Sequence, residues 1–564
     1  MIPDRSIPGY ATPSYPIPVR PPETISMTTR DGTRLDADVY MPDAPGPFPV
    51  LLMRLPYGRA LASTIVYAHP AWYAAHGYIV AVQDVRGCGT SGGEFRLFEH
   101  EARDGADAVA WAAALPGSTG EVGMYGFSYQ GNVQLLALSA GAPALKALCP
   151  AMVAWDMHAD WAYEGGAFRL ADNLAWGIQM AAEAARRRQD FIAHQALYAA
   201  SRNLPLDEEL PTHPRVLRGY ARYSHYDDWL GNPLPGGYWD GISPRALLAD
   251  KPVDVPMLFI GGWFDQMLTG TLDAFREISQ RSPAPHRLLV GPWTHMPWGR
   301  RAGAVDFGSE AASRIDAEQI AWFDRHLKGK PVAERPAVEL FDLGARQWLG
   351  YDALPAPEPT PLHISSTGLA AVSTEDGRLT PEPAVFSADG GTIPDRIVHD
   401  PWRPIPSIGG HAGNDSGMRD RAALDERADI ACYTTEPLKA PLHLTGLVRL
   451  DLMVDADAPS FDVSAVLSMI EPDGGVFNLT QGYRRVEEGA GSRPLGIGMR
   501  SICVTIPAGD RIRLSLAGSC FPAYPVNPGT GAEAAETRLV DCRTITLTFH
   551  AAGTRLLLPV IRKA

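Results

Sequence analysis

Between Glu121 and Ala140 the chain passes from a short apolar strand to an apolar helix through a turn with a serine at its tip. Glu121-Val122-Gly123-Met124-Tyr125 has the composition of a buried strand, and Asn132 to Ala140 that of a helix with apolar spacing. Gly126-Phe127-Ser128-Tyr129-Gln130-Gly131 joins them. A turn this tight demands small neighbours, and the helix N-terminus behind it favours negative charge. It would hold a serine hydroxyl out at the end of a sheet strand, where a nucleophile is presented. The usual spacing is Gly-x-Ser-x-Gly, whereas here Gln130 stands where the second glycine belongs and Gly131 follows. A turn that merely joins a strand to a helix could be written with the same letters, so a catalytic Ser128 must find partners elsewhere.

The flanking sequence repeats the strand–helix alternation. A hairpin is expected from Thr24–Thr28 and Leu35–Tyr40 around Arg30-Asp31-Gly32-Thr33, then buried strands at Pro49–Arg54 and Tyr78–Asp84. Helices are expected around Pro70–His76 and from about Asp104 to Ala114. This alternation implies an α/β fold with a mostly parallel sheet covered on both faces. Residues 150–245 are helical in composition and dense in Trp and Tyr, and read as a helical cap inserted over the sheet's carboxyl edge. The run Arg186-Arg187-Arg188 within them reads as a solvated helix face. The sheet resumes at Pro256–Gly262 and Arg287–Pro292, and a helix from about Ala312 to Leu327 closes the layer. From about 351 onward short alternating strands (Leu442–Leu452, Ser464–Ile470, Arg511–Leu516, Thr544–Phe549) predict an all-β sandwich. The expected division is thus 1–149 with 246–350 as the catalytic domain, 150–245 as the cap, and 351–564 as the β-domain. The proline-rich residues 1–22 read as an extended arm and 365–430 as surface loop.

At 564 residues the chain is too long for one core. Its formal charge of −14 argues against a nucleic-acid or anionic-membrane partner. The N-terminus lacks a basic patch followed by an apolar run, and no stretch reaches the 18 or so apolar residues of a membrane span. The six cysteines are scattered with no C-x-x-C pair, so reduced thiols in a cytoplasmic protein are the expectation.

A serine hydroxyl becomes a nucleophile only when a base takes its proton, and that base must be held in one tautomer. In α/β-hydrolases the acid and then the histidine follow the serine in the chain. Gly262-Trp263-Phe264-Asp265 and Gly291-Pro292-Trp293-Thr294-His295 place Asp265 and His295 just past two apolar strands. Either alone would pass for a turn-capping Asp or a surface His, but three titratable or nucleophilic residues in order at three strand ends form a pattern. The oxyanion needs two donors, and the candidates are the Tyr129 backbone N–H and the Tyr57 hydroxyl. Gly87-Cys88-Gly89-Thr90-Ser91-Gly92 fits the G-x-G-x-x-G of a dinucleotide site, but Gly93-Glu94-Phe95-Arg96 opens no helix to receive a pyrophosphate. With no H-E-x-x-H and no Ca²⁺-loop spacing either, neither a cofactor nor a metal is expected.

These stretches, with Pro56-Tyr57-Gly58, Gln83-Asp84-Val85-Arg86-Gly87 and Leu327-Lys328-Gly329, resemble the cocaine-esterase-like (CocE/NonD) hydrolases. That family is related to X-Pro dipeptidyl-peptidases and α-amino-acid ester hydrolases. The resemblance implies an α/β-hydrolase core, a helical cap and a C-terminal jelly roll. It also implies a Ser128–Asp265–His295 triad with Tyr57 and Tyr129 at the oxyanion, and an elbow glycine one place later than usual. Gly117 stands where the family usually carries a tryptophan. α-Amino-acid ester hydrolases hold the substrate ammonium with acids two and three places after the triad aspartate; here those places are Met267 and Leu268. An apolar pair cannot solvate a buried ammonium, which favours a neutral acyl group. The cap acids Asp156, Asp160 and Glu164 are the remaining candidates for that charge. Trp161 and Trp176 bracket Gly165-Gly166, and with Trp155, Phe168 and Met267 they could line an apolar acyl pocket or form the cap's own core. The expected activity is serine-dependent cleavage of carboxylic esters, with some amides, on a small-molecule substrate, and a homo-oligomer is compatible with it. X-Pro dipeptidyl-peptidase or α-amino-acyl activity is the enzymatic rival, and a non-catalytic carbohydrate binder the rival of another class.

Overall fold

The polar–apolar alternation near the start of the chain is realised as an antiparallel hairpin of β1 (Glu23–Thr28) and β2 (Arg34–Tyr40). It belongs to a computed structural model that describes residues 16–62, 64–383, 393–412, 416–487 and 491–561. The first 15 residues of the proline-rich arm lie outside the described residues. The chain divides into two compact units, one holding the residues up to Phe95 with His100–Cys149 and Arg314–Ala333, the other holding the remainder.

In the first unit β3 (Phe48–Leu55), β4 (Ile79–Asp84) and β5 (Ser118–Phe127) run parallel, and β6 (Leu145–Ala151) follows, in the order β1-β2-β4-β3-β5-β6. Val50, Leu51, Leu52 and Met53 are wholly buried, as a strand covered on both faces requires. The short α1 (Arg59–Ala62) and α2 (Pro70–Ala75) lead from β3 to β4. Next, α3 (Glu101–Ala113) leads to β5, and α4 (Tyr129–Ser139) to β6. The helix Ile315–Lys328 returns to this unit, where Asp316 accepts from the Tyr73 hydroxyl and the Ala68 N–H.

The second unit begins with the cap. A hairpin of β7 (Tyr163–Glu164) and β8 (Ala167–Phe168) precedes α5 (Leu170–Arg187), α6 (Phe191–Arg202), α7 (Arg215–Gly219), α8 (Tyr226–Leu230) and α9 (Pro244–Leu248). Then β9 (Met257–Phe264), α10 (Leu268–Arg281) and β10 (His286–Thr294) build a second parallel stretch. After the small hairpin β11 (Arg301–Ala302) and β12 (Val305–Asp306), the stretch continues through β13 (Val338–Asp342) to the antiparallel edge β14 (Gln347–Tyr351).

The rest of this unit is the expected all-β domain. Its strands are β15 (Thr360–Ser365), β16 (Gly377–Thr380), β17 (Asp395–His399), β18 (Ile430–Thr434) and β19 (Leu442–Ala456). They are followed by β20 (Phe461–Ile470), β21 (Val476–Val486), β22 (Arg493–Ile506), β23 (Arg511–Ala517) and β24 (Ile545–Leu558). The sheet order is β21-β20-β23-β18-β16-β15-β24-β19-β22, with β17 beside β24. Here the surface-loop reading of 365–430 needs correction: the stretch supplies β16 and β17 and buries Ile405, His411 and Leu424. Both strands alternate in burial, but in β17 the polar Asp395 and His399 take buried positions while Val398 is exposed, so the letters show no apolar alternation.

Candidate active site

Ser128 sits between β5 and α4 with φ 60° and ψ −125°, a conformation that costs a non-glycine residue roughly 1–3 kcal/mol. The turn closes because Gly126 has φ 143°, and a Cβ there would lie 2.4 Å from the Cβ of Gln130. Gln130 itself is buried and fills the space over Gly126, so the displaced elbow glycine is accommodated by packing. Tyr129 opens the helix, and its phenol donates to Glu101 Oε1 at 2.9 Å. Burial, then the Glu101 charge, push that phenol well above its usual pKa, so it stays a donor. The other oxygen of Glu101 receives the guanidinium of Arg54, which is fully buried and also reaches Gln83 Oε1 at 2.8 Å.

Tyr57 is half-buried just past β3, and the next turn is pinned from β4. Asp84 Oδ1 accepts the Arg59 N–H at 2.7 Å, while Oδ2 takes the Arg59 guanidinium and the Thr90 N–H at 3.2 Å. A Cβ on Gly89, at φ 52°, would lie 1.9 Å from Asp84 Oδ2. Gly89 of the dinucleotide-like motif therefore packs on a carboxylate of its own chain, and the next helix, α3, starts only at Glu101. Arg86 in the same loop grips Asp104 with two bonds and reaches Thr33 and Asp31, tying the β1–β2 turn to α3.

In the second unit, β9 and β10 are neighbouring parallel strands with Gly262 opposite Gly291, and they end at Phe264 and Thr294, one residue before Asp265 and His295. His295 Nδ1 lies 2.7 Å from Asp265 Oδ1, with Asp265 wholly buried and His295 mostly so. A carboxylate in that position makes Nδ1 the protonated nitrogen and leaves Nε2 with the lone pair a general base needs. The Asp265 carbonyl accepts from Arg500 at 3.0 Å, and the Trp298 indole donates to the His295 carbonyl at 3.0 Å.

The cap aromatics form a connected cluster. Trp161 meets Trp176 edge-on at 5.7 Å and Trp229 at 4.9 Å, and both Trp161 and Trp176 are half-buried. Phe168 is buried against Tyr163 and Tyr226, and the buried Trp155 donates its indole N–H to Glu277. Met267 and Leu268 are buried where β9 turns into α10. Each of the three cap acids is already engaged by the chain itself. Asp156 Oδ1 accepts from the N–H groups of His158 and Ala159, and Asp160 Oδ2 from those of Trp155 and Asp156. Glu164 Oε2 lies 3.0 Å from Arg169, from Arg500 and from His411.

Among the described residues one group brings metal-ligand atoms together, Asp342, His443 and Cys503, within 4.8 Å. Its atoms serve hydrogen bonds: Asp342 Oδ1 takes the N–H groups of Gly344, Ala345 and Thr505, while the Thr505 hydroxyl joins Asp342 Oδ2 and His443 Nδ1. The group joins β13 to β19 and β22 and is read as structural. None of the six cysteines is in a disulfide, and no described helix is long and apolar enough to cross a membrane.

The X-Pro dipeptidyl-peptidase (S15 family) profile matches residues 31–297, and that of the X-Pro dipeptidyl-peptidase C-terminal non-catalytic domain matches residues 331–555. A cocaine esterase of Rhodococcus sp. strain MB1 Bresler is 31% identical, the alignment covering 96% of this chain and 98% of that one. The chain belongs to the cocaine-esterase-like (CocE/NonD) family of serine hydrolases. Among solved structures it is similar in fold to an aminopeptidase from a marine sediment Thaumarchaeota archaeon, with TM-score 0.79 and 22% identity over 99% of both chains. An α-amino acid ester hydrolase gives TM-score 0.78 and 21% identity over 100% of both. The family's fold is an α/β-hydrolase domain followed by an all-β domain. Several supporting residues escaped the sequence reading: Glu101 behind Tyr129, Asp84 and Arg59 beside Tyr57, and Arg169, His411 and Arg500 around Glu164. Arg54 left a local trace as a charge inside the apolar run Leu51-Leu52-Met53-Arg54-Leu55, and Asp84 one as the residue before the glycine-rich loop.

Proposed function

We propose that the chain hydrolyses carboxylic esters of small molecules with Ser128 as nucleophile, His295 as general base and acid, and Asp265 as the group that orients and charge-balances the imidazole. The observation that carries this reading is the buried Asp265–His295 hydrogen bond at two strand ends, in a chain whose serine stands at a strained elbow. Ser128 Oγ attacks the ester carbonyl as His295 Nε2 takes its proton. The resulting oxyanion is met by the Tyr129 N–H and the Tyr57 hydroxyl, and His295 returns the proton to the leaving alcohol. Water then repeats the sequence on the acyl-enzyme and frees the acid. Trp161, Trp176, Phe168, Trp155 and Met267 are proposed as the apolar surroundings of the acyl group.

A neutral acyl group fits better than an α-amino one, because Met267 and Leu268 are buried and apolar and Asp156, Asp160 and Glu164 already have partners. The S15 profile keeps X-Pro dipeptidyl-peptidase activity as the second reading. Two measurements test the proposal. A fluorophosphonate probe should label the protein but not Ser128→Ala. An ester panel of graded acyl size, with and without an α-amine, should show no gain in kcat/KM from the amine; a large gain would favour the second reading. The six buried thiols, none in a disulfide, support a cytoplasmic setting for this activity.

A further inference from the structure

Glu164, at the end of β7, gathers three donors on one oxygen. Arg169, Arg500 and His411 each bring a nitrogen within 3.0 Å of its Oε2. Arg169, Arg500 and His411 are all at least nine-tenths buried. Around Glu164 itself two guanidinium groups stand against one carboxylate, a local excess of positive charge, with Asp172 and Asp160 acting further out on Arg169.

The free ends of both guanidiniums are committed to one place. Arg500, from β22, donates through its other amino group to the Asp265 carbonyl at 3.0 Å. Arg169, just before α5, donates to the Gln266 carbonyl at 2.6 Å and to the Asp160 carbonyl at 2.9 Å. Two successive carbonyls of the β9–α10 turn, the first being that of the buried aspartate, are thus held by charged donors fixed through a common acid. The turn carries no charged donor of its own: Trp263-Phe264-Asp265-Gln266-Met267-Leu268 contains neither Lys nor Arg. His411 and Arg500 come from the span matched as a non-catalytic domain.

We propose that Arg500 and Arg169, locked together by Glu164 and His411, are positioning residues that set the backbone of the Asp265 turn, so that the C-terminal β-domain holds the acid of the acid–base pair in register. The inference rests on the reading of Asp265 as the triad acid. Displacing a catalytic group by an ångström costs on the order of 10²-fold in rate, which sets the size of effect to look for.

The test is a double-mutant cycle between Arg500→Met and Asp265→Asn in the full chain, with kcat and KM measured on p-nitrophenyl acetate beside thermal melts. Arg500→Met leaves Glu164 paired with Arg169 and removes the surplus charge, so the fold should persist. The expected result is a fall in kcat of about 10- to 100-fold with KM within about threefold, and less than about threefold further loss when Arg500→Met is added to Asp265→Asn. Arg500→Lys keeps the charge but loses the guanidinium fork, and should fall between wild type and Arg500→Met; it also serves if the Met variant does not fold. An unchanged kcat, or a full additional loss in the Asp265→Asn background, overturns the proposal. If Asp265→Asn itself stayed near wild type, the triad reading would fail first, a result distinct from failure of Arg500 alone.

Discussion

Behind Tyr129, Glu101 meets one guanidinium, that of Arg54; behind Asp265, Glu164 meets two, together with His411. The first arrangement balances charge one to one and is assembled from β3 and the start of α3. The second carries a surplus of positive charge and draws on residues as distant as Glu164 and Arg500. Both end on a residue with a proposed catalytic role, yet they fix it differently. Glu101 accepts from a side chain, whereas Arg500 and Arg169 reach backbone carbonyls. A balanced buried pair is fragile to the loss of either partner, because what remains is an unpaired charge. A surplus cluster can lose one of its cations and still be paired, so its cost should appear in geometry before stability.

The largest expected effect asks whether the two regions serve one reaction. Ser128→Ala in one and Asp265→Asn in the other should each lower kcat by roughly 10⁴–10⁶, and the combined variant should lose little more than the worse of the two, since triad members act as a unit. Steady-state kinetics on purified variants decides it. Losses that multiply would mean that the regions act separately and would dissolve the comparison.

Next comes Tyr57, whose turn is held by Asp84. Tyr57→Phe keeps the ring and removes the hydroxyl, so a lost oxyanion donor should lower kcat by roughly 10²–10³ while KM stays close to wild type. A loss under about tenfold with an unchanged melt would make Tyr57 a packing residue and leave the second donor to a backbone N–H.

The third prediction sets the two charge clusters against each other directly. Glu101→Ala strands the Arg54 guanidinium inside the sheet and should cost about 3–5 kcal/mol in urea unfolding. Arg500→Met should cost markedly less while lowering kcat. If the stability losses came in the opposite order, the distinction between balanced and surplus charge would be wrong.

Legibility in the sequence follows the same divide. The elbow, the two strand-end residues Asp265 and His295 and the long strands could be read because each is a local pattern: an apolar run, a glycine, then a functional residue. Asp84 is visible in the sequence only as a neighbour of glycines that look like a phosphate loop, whereas in the fold its carboxylate is what Gly89 packs against. In the sequence Glu164 is a candidate for the substrate ammonium only as one of three cap acids that could replace the acids missing after Asp265. Its partners Arg169, His411 and Arg500 lie 5, 247 and 336 positions away, and nothing local marks the last two. Tertiary convergence of charge leaves no periodicity to detect. The stretch 365–430, with strands of 4 and 5 residues and the buried His411, was lost for a related reason.

The smallest effect concerns the one member of the cluster whose ordinary pKa, about 6.5, lies near neutrality. Burial first, then the positive charge of Arg500, push the His411 imidazole down to about 4, against the pull of Glu164 and with a smaller push from Arg169. Burial raises the Glu164 carboxyl, but His411, Arg500 and Arg169 together hold it well below the usual range, so it remains the fixed anion of the group. An unfolded histidine takes its proton near 6.5. Between that pH and about 4 the unfolded chain therefore binds a proton that the folded chain refuses, and stability falls as pH drops through this window. Below about 4 the contribution levels off, and above 6.5 it is fully present. The half-buried His286 and His326, also lowered to about 4, tilt the whole protein the same way, so the informative quantity is a difference between variants. Denaturant unfolding of wild type and His411→Gln across this range should show the wild type losing more stability, by at most a few kcal/mol. Arg500→Met should also shrink the loss, because removing that cation lets His411 accept its proton at a higher pH. Equal slopes in wild type and His411→Gln would show that the imidazole does not resist protonation inside the cluster, and the surplus of positive charge around Glu164 would lose its sharpest signature.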